Sequence, residues 1–171
     1  MAEVQKKTVK PMTVLSLAFT GSYRQTSDKL DELIGWVLRA GHPYAGPPMG
    51  IYYDDPQTVA ESDLHAEAAV PIEEECEIGE GIVRKEVPRA EVASTVHGGP
   101  YDEIHQVYKE IFAWIAANGY RYVREAGTRE IFHKMMGEVD TPDKLVTEIQ
   151  VPIEPALAAE TPEPGSSPKA P

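Results

Sequence analysis

Residues Val92–Gly119 read VASTVHGGPYDEIHQVYKEIFAWIAANG, and Val14–Gly41 read VLSLAFTGSYRQTSDKLDELIGWVLRAG. The two stretches superpose without a gap, 78 positions apart (Val14 to Val92). The match extends over residues 4–41 and 82–119. Its identities are Lys7/Lys85, Val9/Val87, Val14/Val92, Ser16/Ser94, Gly21/Gly99, Tyr23/Tyr101, Glu32/Glu110, Trp36/Trp114 and Gly41/Gly119. Both tryptophans of the chain, both Gly-x-Tyr turns and both terminal glycines coincide. Further on, EAAVPI (Glu67–Ile72) matches EIQVPI (Glu148–Ile153), 81 positions apart. Self-similarity at a near-constant offset marks a duplicated structural unit.

One copy can be read against the other. Val4–Val9 with Thr13–Phe19, and Ile82–Val87 with Glu91–His97, are rich in β-branched residues and read as strands. Pro11 and Pro88 sit where a strand begins or bulges. The Gly-x-Tyr turns lead into helices: Ile104, Val107, Tyr108, Ile111, Phe112 and Ile115 recur at i, i+3, i+4 and i+7. Leu30, Leu33, Ile34, Val37 and Leu38 repeat the pattern. Gly41 and Gly119 stand where a helix ends in a left-handed residue. Two strands follow each helix: Gly50–Tyr53 and His65–Ile72, then Arg129–His133 and Leu145–Ile153. The chain is therefore an α+β protein built from two β-α-β-β units, with an antiparallel sheet and both helices on one face. Repeat one spans about residues 3–72 and repeat two about 81–153. From residue 154 to 171 the chain is rich in Pro and Ala, cannot supply a core, and reads as a disordered tail.

The chain of 171 residues carries 28 acidic and 16 basic side chains, a formal net charge of -12. Ten of the acids fall in residues 54–80, which hold no Lys or Arg. This balance disfavours a nucleic-acid binder, whose phosphate contacts need clustered cations, and adsorption to anionic lipid. The acidic block reads as a solvated loop and linker, or as a surface for basic partners. No apolar run reaches the roughly 20 residues of a spanning helix, and the polar N-terminus lacks a secretory core. The lone Cys76 cannot form an internal disulfide, and a cytoplasmic setting is expected. His42, His65, His97, His105 and His133 show no metal-ligand spacing, and no phosphate-binding or nucleophile-elbow motif occurs, so neither metal nor cofactor is expected.

The segments GIYYDDP (50–56), VHGGPY (96–101), WIAANGY (114–120), TREIFH (128–133) and TEIQVPI (147–153) together resemble the GyrI-like small-molecule-binding domain. This domain also forms the effector-binding half of AraC-type and MerR-type multidrug regulators. The resemblance covers about residues 4–153 and implies pseudo-twofold symmetry with a ligand cleft between the halves. It further implies that the acid of the TREIFH strand, Glu130, projects into the cleft toward cationic or polar ligands. Regulators of this type carry a helix-turn-helix before the domain. With only a few residues ahead of the first strand, a stand-alone member without direct DNA binding is the expectation.

Along a strand, Glu130 and Phe132 share one face, and Arg129, Ile131 and His133 the other. Glu130 is either a solvent-facing strand carboxylate or a desolvated cleft acid suited to holding a cation or activating water. Tyr52 and Tyr53 are counterparts of that strand, and alternation places at most one in the cleft. An offset of 79 matches Tyr53 with Phe132 and favours Tyr53. Trp114 and Trp36 end the two helices and are either cleft walls or simple packing. Tyr23 and Tyr101 read as structural. The first functional reading is a binding domain for small lipophilic molecules, cations among them, with Glu130 as counter-charge and Tyr53, Trp114 and Phe132 as walls. A hydrolase of cyclopropane-type electrophiles using Glu130, and a gyrase-inhibitor-like module acting through the acidic block, are the alternatives.

Overall fold

The computed structural model describes residues 2–42, 44–73, 79 and 81–157. In chain order the elements are β1 (Gln5–Val9), β2 (Met12–Thr20), α1 (Thr26–Arg39), β3 (Met49–Tyr52), β4 (His65–Pro71), β5 (Ile82–Val87), β6 (Ala90–Gly98), α2 (Ile104–Ala117), β7 (Tyr120–Tyr122), β8 (Thr128–Lys134) and β9 (Val146–Pro155). Among the described residues the strands form one antiparallel sheet in the order β1-β6-β9-β8-β3-β4-β2-β5, with β7 pairing β9. The α+β architecture read from the sequence is the one observed.

The two strands that open each repeat do not pair with each other. Instead β1 crosses to β6 and β5 crosses to β2, so each half donates its first strand to the other. The registers are related by symmetry: Gln5 faces Ser94 in one half, and Val83 faces Ser16 in the other. Likewise Val14 faces Pro71, and Val92 faces Pro152. At the centre, Gly50 faces Ala68 and Glu130 faces Ile149, which places β3 and β8 at an offset of 80 (Gly50 to Glu130). Gly50 and Glu130 are themselves paired across β3 and β8, so the pseudo-twofold axis passes between them.

Cross-strand partners project to the same face. Following Ala68, Gly50, Glu130, Ile149 and Thr95 across the sheet therefore traces one face from the first half to the second. On it α1 buries Leu30, Leu33 and Val37 against Leu15, Leu17, Ala68 and Val70. Next to it, α2 buries Ile104, Val107, Ile111 and Ile115 against Ala93, Ile149, Val151 and Ile153. Both helices thus lie on one face and leave a gap above the central strands. Each ends at a left-handed glycine, Gly41 (φ 76) and Gly119 (φ 79), a conformation that costs other residues energy. Leu38, which the periodicity placed on the apolar face, is 62% exposed because the stripe is wider than the strip of sheet beneath it.

The opposite face carries two buried carboxylates in symmetry-related settings. Glu67 accepts from Ser16 Oγ (2.6 Å), from Lys85 Nζ (2.9 Å) and from the Tyr53 hydroxyl. Glu148 accepts from Ser94 Oγ (2.9 Å), Gln150 Nε2 (2.8 Å) and Lys7, and contacts His133 Nε2 at 3.0 Å. In each case the lysine comes from the strand the other half donated. Burial alone would raise the Glu148 pKa, but hydrogen bonds from Gln150, Lys7, His133 and Ser94 outweigh it and hold it at about 2.

Two regions differ from the sequence reading. The short strand β7 was not anticipated, and β9 runs to Pro155, two residues into the stretch read as tail. Pairing with β7 holds that end: Arg121 Nε donates to Glu154 Oε1 at 2.6 Å, and the Ala156 N–H to the Gly119 carbonyl at 2.9 Å. Residues 158–171 lie outside the described residues, as does most of the acidic linker 73–80 with Cys76. Among the described residues no helix is long and apolar enough to cross a membrane.

Leu33 and Ile111 are fully buried at the centres of the two helix interfaces. Truncating either to alanine is expected to lower unfolding free energy by about 2–5 kcal/mol, against about 0.5 kcal/mol or less for Leu38→Ala, in urea titrations. The depressed pKa of Glu148 means that its stabilisation is complete above about pH 4.5 and disappears as pH falls toward about 2. The wild type should lose on the order of 3 kcal/mol more than Glu148→Gln across that window, measured by denaturant titration at each pH.

Candidate functional site

Above the central strands, between α2 and the turn that precedes α1, lies a cavity of about 740 Å³. Its floor is formed by Tyr52 on β3 and by Thr128 and Glu130 on β8. One wall is a single stripe of α2, where His105, Tyr108, Lys109 and Phe112 follow helical spacing. The facing wall is Tyr23, from the turn before α1, with the loop Tyr53–Gln57 that leaves β3. Tyr122, the last residue of β7, and Arg124, just beyond it, close one end.

Glu130 is the chemical centre of this space. It is partly buried and accepts one hydrogen bond, from the Tyr108 hydroxyl at 2.8 Å. Among the described residues no Lys, Arg or His forms an ion pair with it. Burial pushes its pKa up to about 7, only partly offset by the Tyr108 hydrogen bond. The contrast with Glu67 and Glu148 is informative: all three sit on central or near-central strands, but only those two are neutralised by lysine. A desolvated carboxylate without a protein cation is electrostatically unfinished and favours a ligand that brings the missing charge or proton.

Aromatic rings surround it. Tyr52 is buried, donates to Thr26 Oγ1 (3.1 Å), and packs on Tyr23 with ring centroids 4.7 Å apart. Tyr23 is fixed by its hydroxyl, which donates to the Asp54 carbonyl (2.9 Å) and accepts from the Asp54 N–H (3.0 Å). Burial raises the pKa values of Tyr52 and Tyr108 well above the ordinary phenol value, and the Glu130 carboxylate adds to it, so both remain neutral hydroxyls. Gly50 explains how the Tyr52 ring reaches this place. A Cβ at position 50 would stand 2.4 Å from the Tyr52 hydroxyl oxygen, so the glycine opposite Glu130 leaves room for the ring.

Residues 2–154 match the GyrI-like small molecule binding domain. The chain belongs to this family. It is 29% identical over 126 residues to DNA gyrase inhibitor 2 of Dickeya dadantii (strain 3937), covering 67% of this chain and 74% of the relative. Among solved structures, the EcmrR C-terminal domain superposes with a TM-score of 0.77 at 20% identity, covering 91% of this chain and 99% of that one. Against the EcmrR chain in its DNA complex the TM-score is 0.81 at 19% identity. There the match covers 91% of this chain but spans only 58% of that chain. SAV2435, solved bound to tetraphenylphosphonium, gives a TM-score of 0.57 at 14% identity, covering 89% of this chain and 94% of that one. At these identities the solved structures establish the shared fold.

Of the residues singled out from the GyrI-like sequence pattern, the structure brings Glu130, Tyr52 and Tyr53 together around the cavity. Both tyrosines line it because β3 ends at Tyr52, and strand alternation ends with it. The hydroxyl of Tyr53 donates to Glu67 instead of facing the carboxylate. Phe132, Trp114 and Trp36 are not among the lining residues. Phe132 packs in the core beneath α1, edge-on to Tyr101 at 6.0 Å. Trp114 stacks on Tyr120 at 6.0 Å, and Trp36 lies against the first-half core near His42.

The offset of 79 that equated Tyr53 with Phe132 is corrected to 80: Tyr52 corresponds to Phe132, and Tyr53 to His133. A one-residue slip moves a side chain to the other face of the sheet. Accordingly, Tyr23–Tyr52 and Tyr101–Phe132 are equivalent aromatic pairs.

Tyr108 and Phe112, read as core by periodicity, line the cavity, as do His105, Lys109, Tyr23, Tyr122 and Arg124. The available signal was Tyr108 itself, a phenol on an apolar stripe, which requires a polar partner when buried. Among the described residues the acids of the block are not gathered on one surface. Asp54 and Asp55 stand at the cavity, Glu61 and Asp63 are exposed, and Glu67 is buried in its lysine pair.

The raised pKa of Glu130 makes it a stability cost. Unfolded, it ionises near its ordinary value of 4.5, whereas the folded chain holds the proton to about pH 7. The penalty is absent below about pH 4.5 and grows until about pH 7. Glu130→Gln should therefore gain up to about 3 kcal/mol relative to wild type between pH 4.5 and pH 8. Denaturant midpoints of both proteins across this range test it, and equal pH profiles would refute it.

Proposed function

We propose that the cavity binds lipophilic cations, or neutral molecules with an exposed hydrogen-bond donor, with Glu130 as counter-charge. The observation that carries this reading is the Glu130 carboxylate among aromatic rings, held by one tyrosine hydrogen bond and, among the described residues, by no cation. Tyr52, Tyr108, Tyr122 and Phe112 supply faces for an apolar or flat body. Tyr53 completes the side of the site next to the β3 loop. The volume of about 740 Å³ suits a drug-sized molecule. Membership of a small-molecule-binding family, and a neighbour of the same fold solved with tetraphenylphosphonium, support the same direction.

Tetraphenylphosphonium carries a permanent charge, so any pH dependence of its binding comes from the protein. As pH rises through about 7, Glu130 loses its proton and becomes attractive to the cation. Affinity should increase by about three- to tenfold from pH 6 to pH 8 by calorimetry or equilibrium dialysis. In Glu130→Gln binding should weaken, and this pH dependence should vanish. Binding as tight as wild type with the same profile would remove Glu130 from the site.

A further inference from the structure

The cavity is polarised beyond its floor. Lys109, Arg124 and His105 line it and are exposed, whereas Thr128 is buried and Glu130 partly so. Two acids share the rim, but both are engaged. Asp54 Oδ2 accepts from the His65 N–H at 2.7 Å and meets the His65 ring at 3.0 Å, while Asp55 Oδ1 accepts from the Gln57 N–H at 2.9 Å. The side chains of Lys109 and Arg124, by contrast, make no hydrogen bond or ion pair among the described residues. Arg124 lies within electrostatic range of Asp54 and Tyr122. Lys109 follows Tyr108, the residue that touches Glu130, on α2.

A purely cationic ligand would satisfy the floor but leave Lys109 and Arg124 without a hydrogen-bonded or ion-paired partner among the described residues, whereas the two rim carboxylates, which keep their charge, already have partners. From this arrangement we infer that the preferred ligands are zwitterionic: a cationic or donor group reaching Glu130, a flat apolar body between the tyrosines, and an anionic group at Lys109 and Arg124. The inference rests on the reading of the cavity given above and adds the anionic end. Arg124 presents a planar fork suited to a carboxylate or sulfonate, and Lys109 a mobile point charge on the α2 wall of the same cavity. Because both cations are exposed, the lip contributes modestly and is screened by salt.

Rhodamine B and its ethyl ester form a matched pair of probes. They share the xanthylium cation and differ in whether the carboxylate is free. Fluorescence titration of the full chain at low salt and pH 8 should give about three- to tenfold tighter binding of rhodamine B than of the ester. The ratio should fall toward one in the double variant Lys109→Met/Arg124→Gln, and in wild type as salt is raised. Equal affinities in wild type, or a preference that persists in the double variant, would overturn the zwitterion assignment while leaving Glu130 as counter-charge. Failure of wild type to bind either dye would overturn both readings.

Discussion

The exchange of first strands between the two halves is the constraint from which the rest of the structure follows. Because β1 lies on β6 and β5 on β2, neither half can complete its sheet alone. Each exchanged strand also carries the lysine that neutralises a buried carboxylate of the other half, Lys7 for Glu148 and Lys85 for Glu67. Removing one partner from such a pair leaves an uncompensated carboxylate, so each pair ties the exchanged strand to the sheet it has joined. The exchange holds β3 and β8 side by side at the middle of the sheet, with Gly50 opposite Glu130.

Symmetry at that axis is broken by chemistry. One strand supplies a carboxylate and the other a glycine, so the ring of Tyr52 can occupy the space a second side chain would fill. Its counterpart Phe132 remains in the core beneath α1. A duplicated framework thereby yields a one-sided cavity above its axis: an acid and several phenols on its inside, and the exposed Lys109 and Arg124 at its lip. The same sheet carries three glutamates, two on one face paired with lysine and one on the other, partly buried, that forms no ion pair among the described residues.

Much of the fold was legible in the sequence because duplication supplies an internal check: a helix stripe or turn read in one copy must reappear in the other. Element types, helix ends at Gly41 and Gly119, and the shared face of both helices follow from periodicity of 3.6 and 2. The site was less legible. Glu130 came from the family pattern, but Trp114, Trp36 and Phe132 did not join it, since large aromatics at helix ends and on strands pack equally well in a core. Tyr108 was taken for core because its ring is apolar along most of its length, and only its hydroxyl faces the acid.

The sequence by itself determined the two repeats, their α+β content and the alternation that sets Glu130 and Arg129 on opposite faces. These are local properties, written in spacing and side-chain type. Only the tertiary structure decided which copy's strand pairs with which, that β3 and β8 correspond at an offset of 80, and that among the described residues Glu67 and Glu148 pair with lysine while Glu130 forms no ion pair. Register and charge partnership depend on residues far apart in the chain, and the pleat amplifies a single-residue shift into a change of face.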